Sequence, residues 1–134
     1  MKDLYANFDI SFASTAKGAL GVLEFRDLPF EVKRIYWISD VPPGAIRGLH
    51  AHKSLSQLLI LLSGGLKIIL DDGQERQEIK LNKASSAILI RPGLWREILD
   101  FDENTVALIV CDQEYDESDY IREYAEFIAW KNDK

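Results

Sequence analysis

Turn signals break this chain at short intervals. Val41-Pro42-Pro43-Gly44, Ser63-Gly64-Gly65, Asp71-Asp72-Gly73 and Arg91-Pro92-Gly93 each concentrate residues suited to tight reversals. The runs between them are short and rich in β-branched and aromatic residues, as at 19–25, 33–38, 57–62, 66–70, 87–90 and 105–111. Residues 77–81 alternate apolar and polar, the period of a half-exposed strand. With 47–52 and 94–99 the set reaches about ten strands, which predicts an all-β antiparallel sandwich or barrel. Only the C-terminus departs from this pattern. Asp116-Glu117-Ser118-Asp119 offers capping and acidic first-turn residues, and Tyr120, Tyr124, Phe127 and Ile128 then recur at helical spacing. One amphipathic α-helix is expected from about 118 to 130, its aromatic stripe packed on the barrel.

A chain of 134 residues, 47% of them hydrophobic, can build one core without staples, so a single domain over residues 1–134 is expected. A net charge of −6 disfavours nucleic acid or an anionic membrane as a partner for the whole surface. The longest apolar run, 106–111, is far too short to span a bilayer, and Met1-Lys2-Asp3-Leu4-Tyr5 lacks the apolar region of a signal peptide. A cytoplasmic protein is the simplest expectation. Cys111, the single cysteine, lies in an apolar stretch and reads as a core filler rather than a nucleophile.

His50 and His52 are the only histidines, two residues apart in an expected strand and therefore on one face. Two imidazoles sharing a space can hold a metal or carry protons near neutral pH. The surrounding spacing is specific. Gly44 is followed by five residues, then His50-Ala51-His52, then Gln57 four residues on, then Gly64 six residues beyond. This is similar to the first motif of the cupin superfamily, with Gln57 in place of Glu. The resemblance implies a cupin jelly roll, or double-stranded β-helix. The second motif keeps its Pro-Gly turn at Pro92-Gly93 but continues Leu94-Trp95-Arg96-Glu97, without a histidine. A metal cupin usually presents three His and one Glu. Here Gln57 is neutral and Arg96 would set a positive charge beside a cation, which argues against a tight metal site. Two histidines and Glu97 still leave a possible iron triad.

A closer resemblance rests on Arg47-Gly48-Leu49-His50-Ala51-His52-Lys53, Gln57, Leu70-Asp71-Asp72-Gly73, Trp95-Arg96-Glu97 and the run Tyr115 to Arg122. In that order these residues resemble the dTDP-sugar 3,4-ketoisomerases, small cupins of nucleotide-sugar biosynthesis. The resemblance implies conversion of a dTDP-4-keto-6-deoxyhexose to its 3-keto isomer, without metal or other cofactor. A PLP-dependent aminotransferase would then aminate the product, toward a 3-amino sugar of lipopolysaccharide O-antigen or an S-layer glycan.

That reaction needs a base, an acid and donors for a developing enediolate. His52 is expected as the main proton shuttle, with His50 as second acid/base or orienting partner and Tyr36 as a phenolic donor. Gln57 and Arg96 are expected at the sugar, and Arg47, Lys53 or Arg91 at the diphosphate. Strand alternation puts Arg47 opposite His50 unless a bulge intervenes. The chain departs from many relatives at two positions near the sugar: Lys17 stands where they have Arg, and Arg96 where they have His. Both are expected to influence which face of C4 is reprotonated. A metal-dependent dioxygenase and a non-enzymatic sugar-binding cupin are the competing readings. By analogy a homodimer is expected, with residues 1–12 available as an exchanged strand, a device that would also cover sheet edges.

Overall fold

The computed structural model describes residues 3–133; Met1, Lys2 and Lys134 lie outside the described residues, and with them the first positions of the exchangeable segment. The strands are β1 (Tyr5–Asn7), β2 (Ser11–Thr15), β3 (Gly18–Val22), β4 (Arg34–Ser39), β5 (Arg47–His52), β6 (Gln57–Ser63), β7 (Leu66–Asp71), β8 (Arg76–Leu81), β9 (Ala87–Ile90), β10 (Trp95–Leu99), β11 (Val106–Cys111) and β12 (Tyr120–Ile121). One α-helix, α1 (Tyr124–Asn132), follows. Two five-stranded sheets form, ordered β1-β9-β6-β11-β4 and β12-β5-β10-β7-β8, with every pairing antiparallel. This is the expected all-β jelly roll with a C-terminal helix.

The sheets enclose a core that includes Leu59, Leu61, Ile68, Leu70, Ile88 and Ile109, each at most 2% exposed. Burying each such side chain contributes roughly 1.5–3 kcal/mol. A second cluster covers the outer face of the first sheet, where Leu28, Phe30 and Phe8 pack on Leu58, Ile60 and Val110. Gly64 marks the turn after β6 for a steric reason. Its φ is +79°, and a Cβ there would lie 2.5 Å from the Thr105 Cα. No helix among the described residues is long and apolar enough to cross a membrane.

The C-terminal helix is shorter and later than expected. Residues Glu117–Asp119 form a 3₁₀ turn capped by Asp116, and Tyr120–Ile121 leave it as a strand on the edge of β5. The edge supplies ladder partners for β12, pairing Tyr120 with His52 and Ile121 with Ala51, so tertiary pairing overrides the helical pattern. Tyr120 thereby leaves the apolar stripe. Phe127 keeps it, fully buried against Ala51, Trp95 and Ile121 on the outer face of the second sheet.

The N-terminal segment divides. β1 pairs with β9 of its own chain. β2 and β3 form a separate two-stranded hairpin in which every residue is exposed, including Phe12, Leu20 and Val22.

Candidate active site

Between the two sheets lies a cavity of about 620 Å³. Its chemistry is concentrated on one face of β5, which runs between β10 and β12. Register places Arg96 directly across from His50, and Tyr120 directly across from His52. The four side chains therefore share a face. The two imidazoles meet edge to face at 4.7 Å, and the Tyr120 ring lies 5.0 Å from His50 and 4.4 Å from His52.

A bulge extends this face. Arg96 pairs with His50, but Ile98 pairs with Arg47, so β5 carries one extra residue against β10. Gly48, at φ +67°, provides the conformation, and its missing Cβ leaves room for Ile98. The extra residue reverses the alternation and returns Arg47 to the cavity beside His50.

His50 lines the cavity, while His52 lies behind it with no exposed surface. His52 Nδ1 is 2.9 Å from Asp119 Oδ2. The Nε2 atoms of both histidines are buried without a hydrogen-bond partner. A buried, unmatched polar atom costs about 1–3 kcal/mol, a penalty a ligand can relieve. Burial, then Arg96, push His50 down to about 2; the same two causes lower His52 to about 4, against an upward pull from Asp119. Both rings are neutral at pH 7, as a base must be.

Arg96 is 2% exposed, and no carboxylate among the described residues lies within ion-pair distance of it. Burial lowers it to about 10, so it keeps its charge at neutral pH. One Nη donates to the Gln57 amide oxygen, and the Gln57 amide N–H donates to the Tyr36 hydroxyl oxygen at 3.0 Å. This bridge from β10 through β6 to β4 orients Gln57 and leaves the Tyr36 proton free to donate. Tyr36 is raised above the ordinary phenol range, by burial first, and stays protonated. An uncompensated buried cation beside a phenol is suited to a developing oxyanion.

Six expected residues thus converge: His50, His52, Tyr36, Gln57, Arg96 and Arg47. Lys53, Arg91 and Lys17 do not. Lys53 is exposed just beyond β5, Arg91 lies in a separate groove with Tyr5, Phe30 and Asp112, and Lys17 sits in the exposed turn between β2 and β3. Glu97 also falls away, because alternation turns it to the opposite face of β10. There it accepts from Trp95 Nε1 at 3.1 Å and from Arg76 at 3.4 Å, so it cannot complete an iron triad with the histidines. Gln57 and Arg96 occupy the places where a bound cation would need anionic donors, and no group of three or more potential ligands occurs among the described residues.

Other wall residues escaped sequence reasoning. Arg34, Tyr115, Tyr120 and Arg122 line the cavity, with the Arg122 guanidinium 4.3 Å over the Tyr120 ring. Glu117 holds Arg122 through two 2.8 Å contacts. The run from Tyr115 to Arg122 stands out as a motif, but the helix expected from about 118 hides the inward turn of Tyr120 and Arg122.

The chain matches the family described as "FdtA: WxcM-like, C-terminal" over residues 5–132. It is 40% identical over 113 residues to the TDP-4-oxo-6-deoxy-α-D-glucose-3,4-oxoisomerase of Aneurinibacillus thermoaerophilus, covering 84% of this chain and 81% of the relative. Among solved structures it resembles the 3,4-ketoisomerase QdtA of Thermoanaerobacterium thermosaccharolyticum, determined as a histidine-to-asparagine mutant with TDP-4-keto-6-deoxyglucose. The TM-score is 0.93 at 37% identity, covering 100% of this chain and 98% of that one. The rmlC epimerase of Mycobacterium tuberculosis, 16% identical, shares the fold with a TM-score of 0.73, over 87% of this chain and 67% of that one.

Proposed function

The chain belongs to the FdtA-type family of TDP-sugar 3,4-ketoisomerases, and from that membership we propose that it converts a TDP-4-keto-6-deoxyhexose to the 3-keto isomer by histidine-mediated proton transfer. The observation that carries the mechanism is the β5–β10 register, which sets two neutral histidines beside a buried Arg96 whose Nε is unmatched. The C3–H bond breaks and its proton passes to the histidine pair. The electron pair moves into an enediolate, whose charge Arg96 and the Tyr36 hydroxyl stabilise. A C–H bond then forms at C4 as the histidine pair returns a proton, and the 3-hydroxyl proton passes to O4, so that O3 becomes the ketone and O4 the hydroxyl. Atoms balance, and no electron donor or acceptor is needed. His50 meets the sugar; His52 stands behind it as the more basic ring.

Arg47, Arg34 and Arg122 serve the diphosphate, and Tyr115 and Tyr120 offer ring faces near it. The product ketone is suited to amination by a PLP-dependent aminotransferase, leading to a 3-amino sugar for a surface polysaccharide. The working unit is a homodimer. Its support is the exposed apolar hairpin β2–β3, which a second copy would cover, together with exposed Ile35 and Trp37 on edge strand β4. Lys17 lies outside its own chain's cavity and can contact substrate only if the hairpin reaches a partner. Light scattering that finds a monomer at working concentration refutes this arrangement.

The decisive assay supplies TDP-4-keto-6-deoxyglucose in D2O with chelator present. The expected result is a 3-keto product carrying deuterium at C4, seen by NMR. Binding without exchange would favour a non-enzymatic sugar-binding protein. Activity that chelation abolishes and iron restores would favour a metal enzyme.

A further inference from the structure

Asp119 is 7% exposed and lies directly behind His52. Its Oδ1 accepts from the Ser54 backbone N–H at 2.7 Å and from the Ser54 hydroxyl at 2.8 Å, which leaves Oδ2 for His52 at 2.9 Å. The carboxylate rides on a 3₁₀ turn pinned to the end of β5, where the Lys53 N–H donates to the Asp119 carbonyl at 3.0 Å. Burial pushes Asp119 up, but the Ser54 and His52 hydrogen bonds outweigh it and hold the group below the usual carboxylate range. An ionised carboxylate only accepts, so the shared proton belongs to His52 Nδ1, and Nε2 is left as the lone-pair nitrogen.

The charges around the pair are unequal. Arg96 from β10 and Arg34 from β4 oppose a positive His52, Tyr120 from β12 packs its ring there, and among the described residues Asp119 is the anion hydrogen-bonded to it. His50 faces Arg96, Arg122 and His52, and no carboxylate among the described residues forms an ion pair with it.

We infer that Asp119 is a positioning residue of the site: it fixes His52 as the Nδ1–H tautomer and so leaves Nε2 as the nitrogen that can take up a proton. The inference rests on the isomerase reading and assigns which nitrogen of His52 is available within it.

Asp119→Asn tests this sharply. Ser54 continues to donate to Oδ1, so the new amide NH2 takes the place of Oδ2 and donates to Nδ1. His52 is thereby forced into the opposite tautomer. Expected are Nδ1–H on wild-type His52 by 15N NMR, Nε2–H in the variant, and kcat lower by about 10²–10⁴-fold with TDP affinity little changed. Asp119→Glu should recover part of kcat. Nε2–H on the wild-type ring, or an Asn variant with kcat within a few-fold of wild type, overturns the inference. If the Asn variant does not fold, Ser54→Ala removes one bond that orients the carboxylate. A several-fold fall in kcat at unchanged KM is then expected, and full kcat counts against the role. Wild-type protein without any turnover would refute the isomerase reading instead, while the tautomer measurement would still stand.

Discussion

Arg96 and Glu97 are neighbours on β10, yet their surroundings are opposite in kind. Outside, under α1, the polar groups are matched. Glu97 accepts from Trp95 and Arg76, and Asp71 accepts from the Gly73 N–H, from Arg76 and from the Tyr124 hydroxyl. Inside, Arg96 Nε and both histidine Nε2 atoms are buried without partners, and no carboxylate among the described residues lies within ion-pair distance of Arg96. One strand therefore presents a face that is complete without ligand and a face that is not. Matched buried polar groups favour stability, whereas unmatched ones cost stability and are retained where a ligand supplies the missing partner. The outer face holds the helix; the inner face awaits a substrate.

The largest expected effect comes from removing the inner imidazoles. His52→Asn and His50→Gln should each lower kcat by about 10²–10⁴-fold, the usual contribution of a positioned acid/base. Stability should change little, because neither Nε2 makes a hydrogen bond that the substitution would lose. Steady-state kinetics and urea melts on the same preparations check both halves. Full activity in either variant would remove that ring from the mechanism.

The outer face should respond in the opposite way. Phe127 is fully buried between α1 and the sheet, so Phe127→Ala should cost about 3–5 kcal/mol of stability. Turnover per folded molecule should change little. A matching fall in kcat at temperatures where the variant is folded would show that the two faces are coupled through β10.

Smaller is the effect of making the inner face apolar. Arg96→Met combined with Gln57→Leu replaces a buried cation and its partner with side chains of similar size. Such replacements are often neutral or stabilising by about 1–4 kcal/mol. The same variant should lose about 10²–10³-fold in kcat, the scale of a lost oxyanion donor. A marked loss of stability would place Arg96 among the structural groups of the outer kind.

How much of this contrast the sequence revealed depends on the range of the interactions. The strands followed from local pattern, and 47–52 and 87–90 coincide with β5 and β9. His50, His52 and Gln57 were marked by spacing, and Arg96 by its place after Pro92-Gly93. Arg47 was assigned only conditionally, because a bulge shows in the register between two distant strands and not in either one. Tyr120 was read as helical packing because its periodicity is real; pairing with β5, a partner far away in sequence, is what overrides it. Asp119 was read as a capping residue for the same reason. Lys53 and Arg91 were drawn in by proximity to motifs, and proximity along the chain says little about which side of a turn a long side chain leaves.

The inner face also predicts how stability changes with pH. In the unfolded chain both histidines titrate near pH 6.5; in the fold His52 lies at about 4 and His50 at about 2. Between about pH 4 and 6.5 the unfolded state thus binds protons that the folded state does not, and stability falls as pH drops. The slope is at most about 1.4 kcal/mol per pH unit for each ring. His52 stops contributing below about 4, while His50 continues. The lowered carboxylates Asp119, Asp72 and Glu117 act in the same direction, but only as their unfolded forms titrate, near 3.8 to 4.5. Above about pH 5 the histidines therefore dominate. Urea midpoints compared across about pH 5 to 7 should rise in the wild type and lie nearly flat in a His50→Gln, His52→Asn double variant. An equal rise in both proteins would move the proton-linked instability away from the inner face and remove the physical basis for treating the two faces of β10 as different.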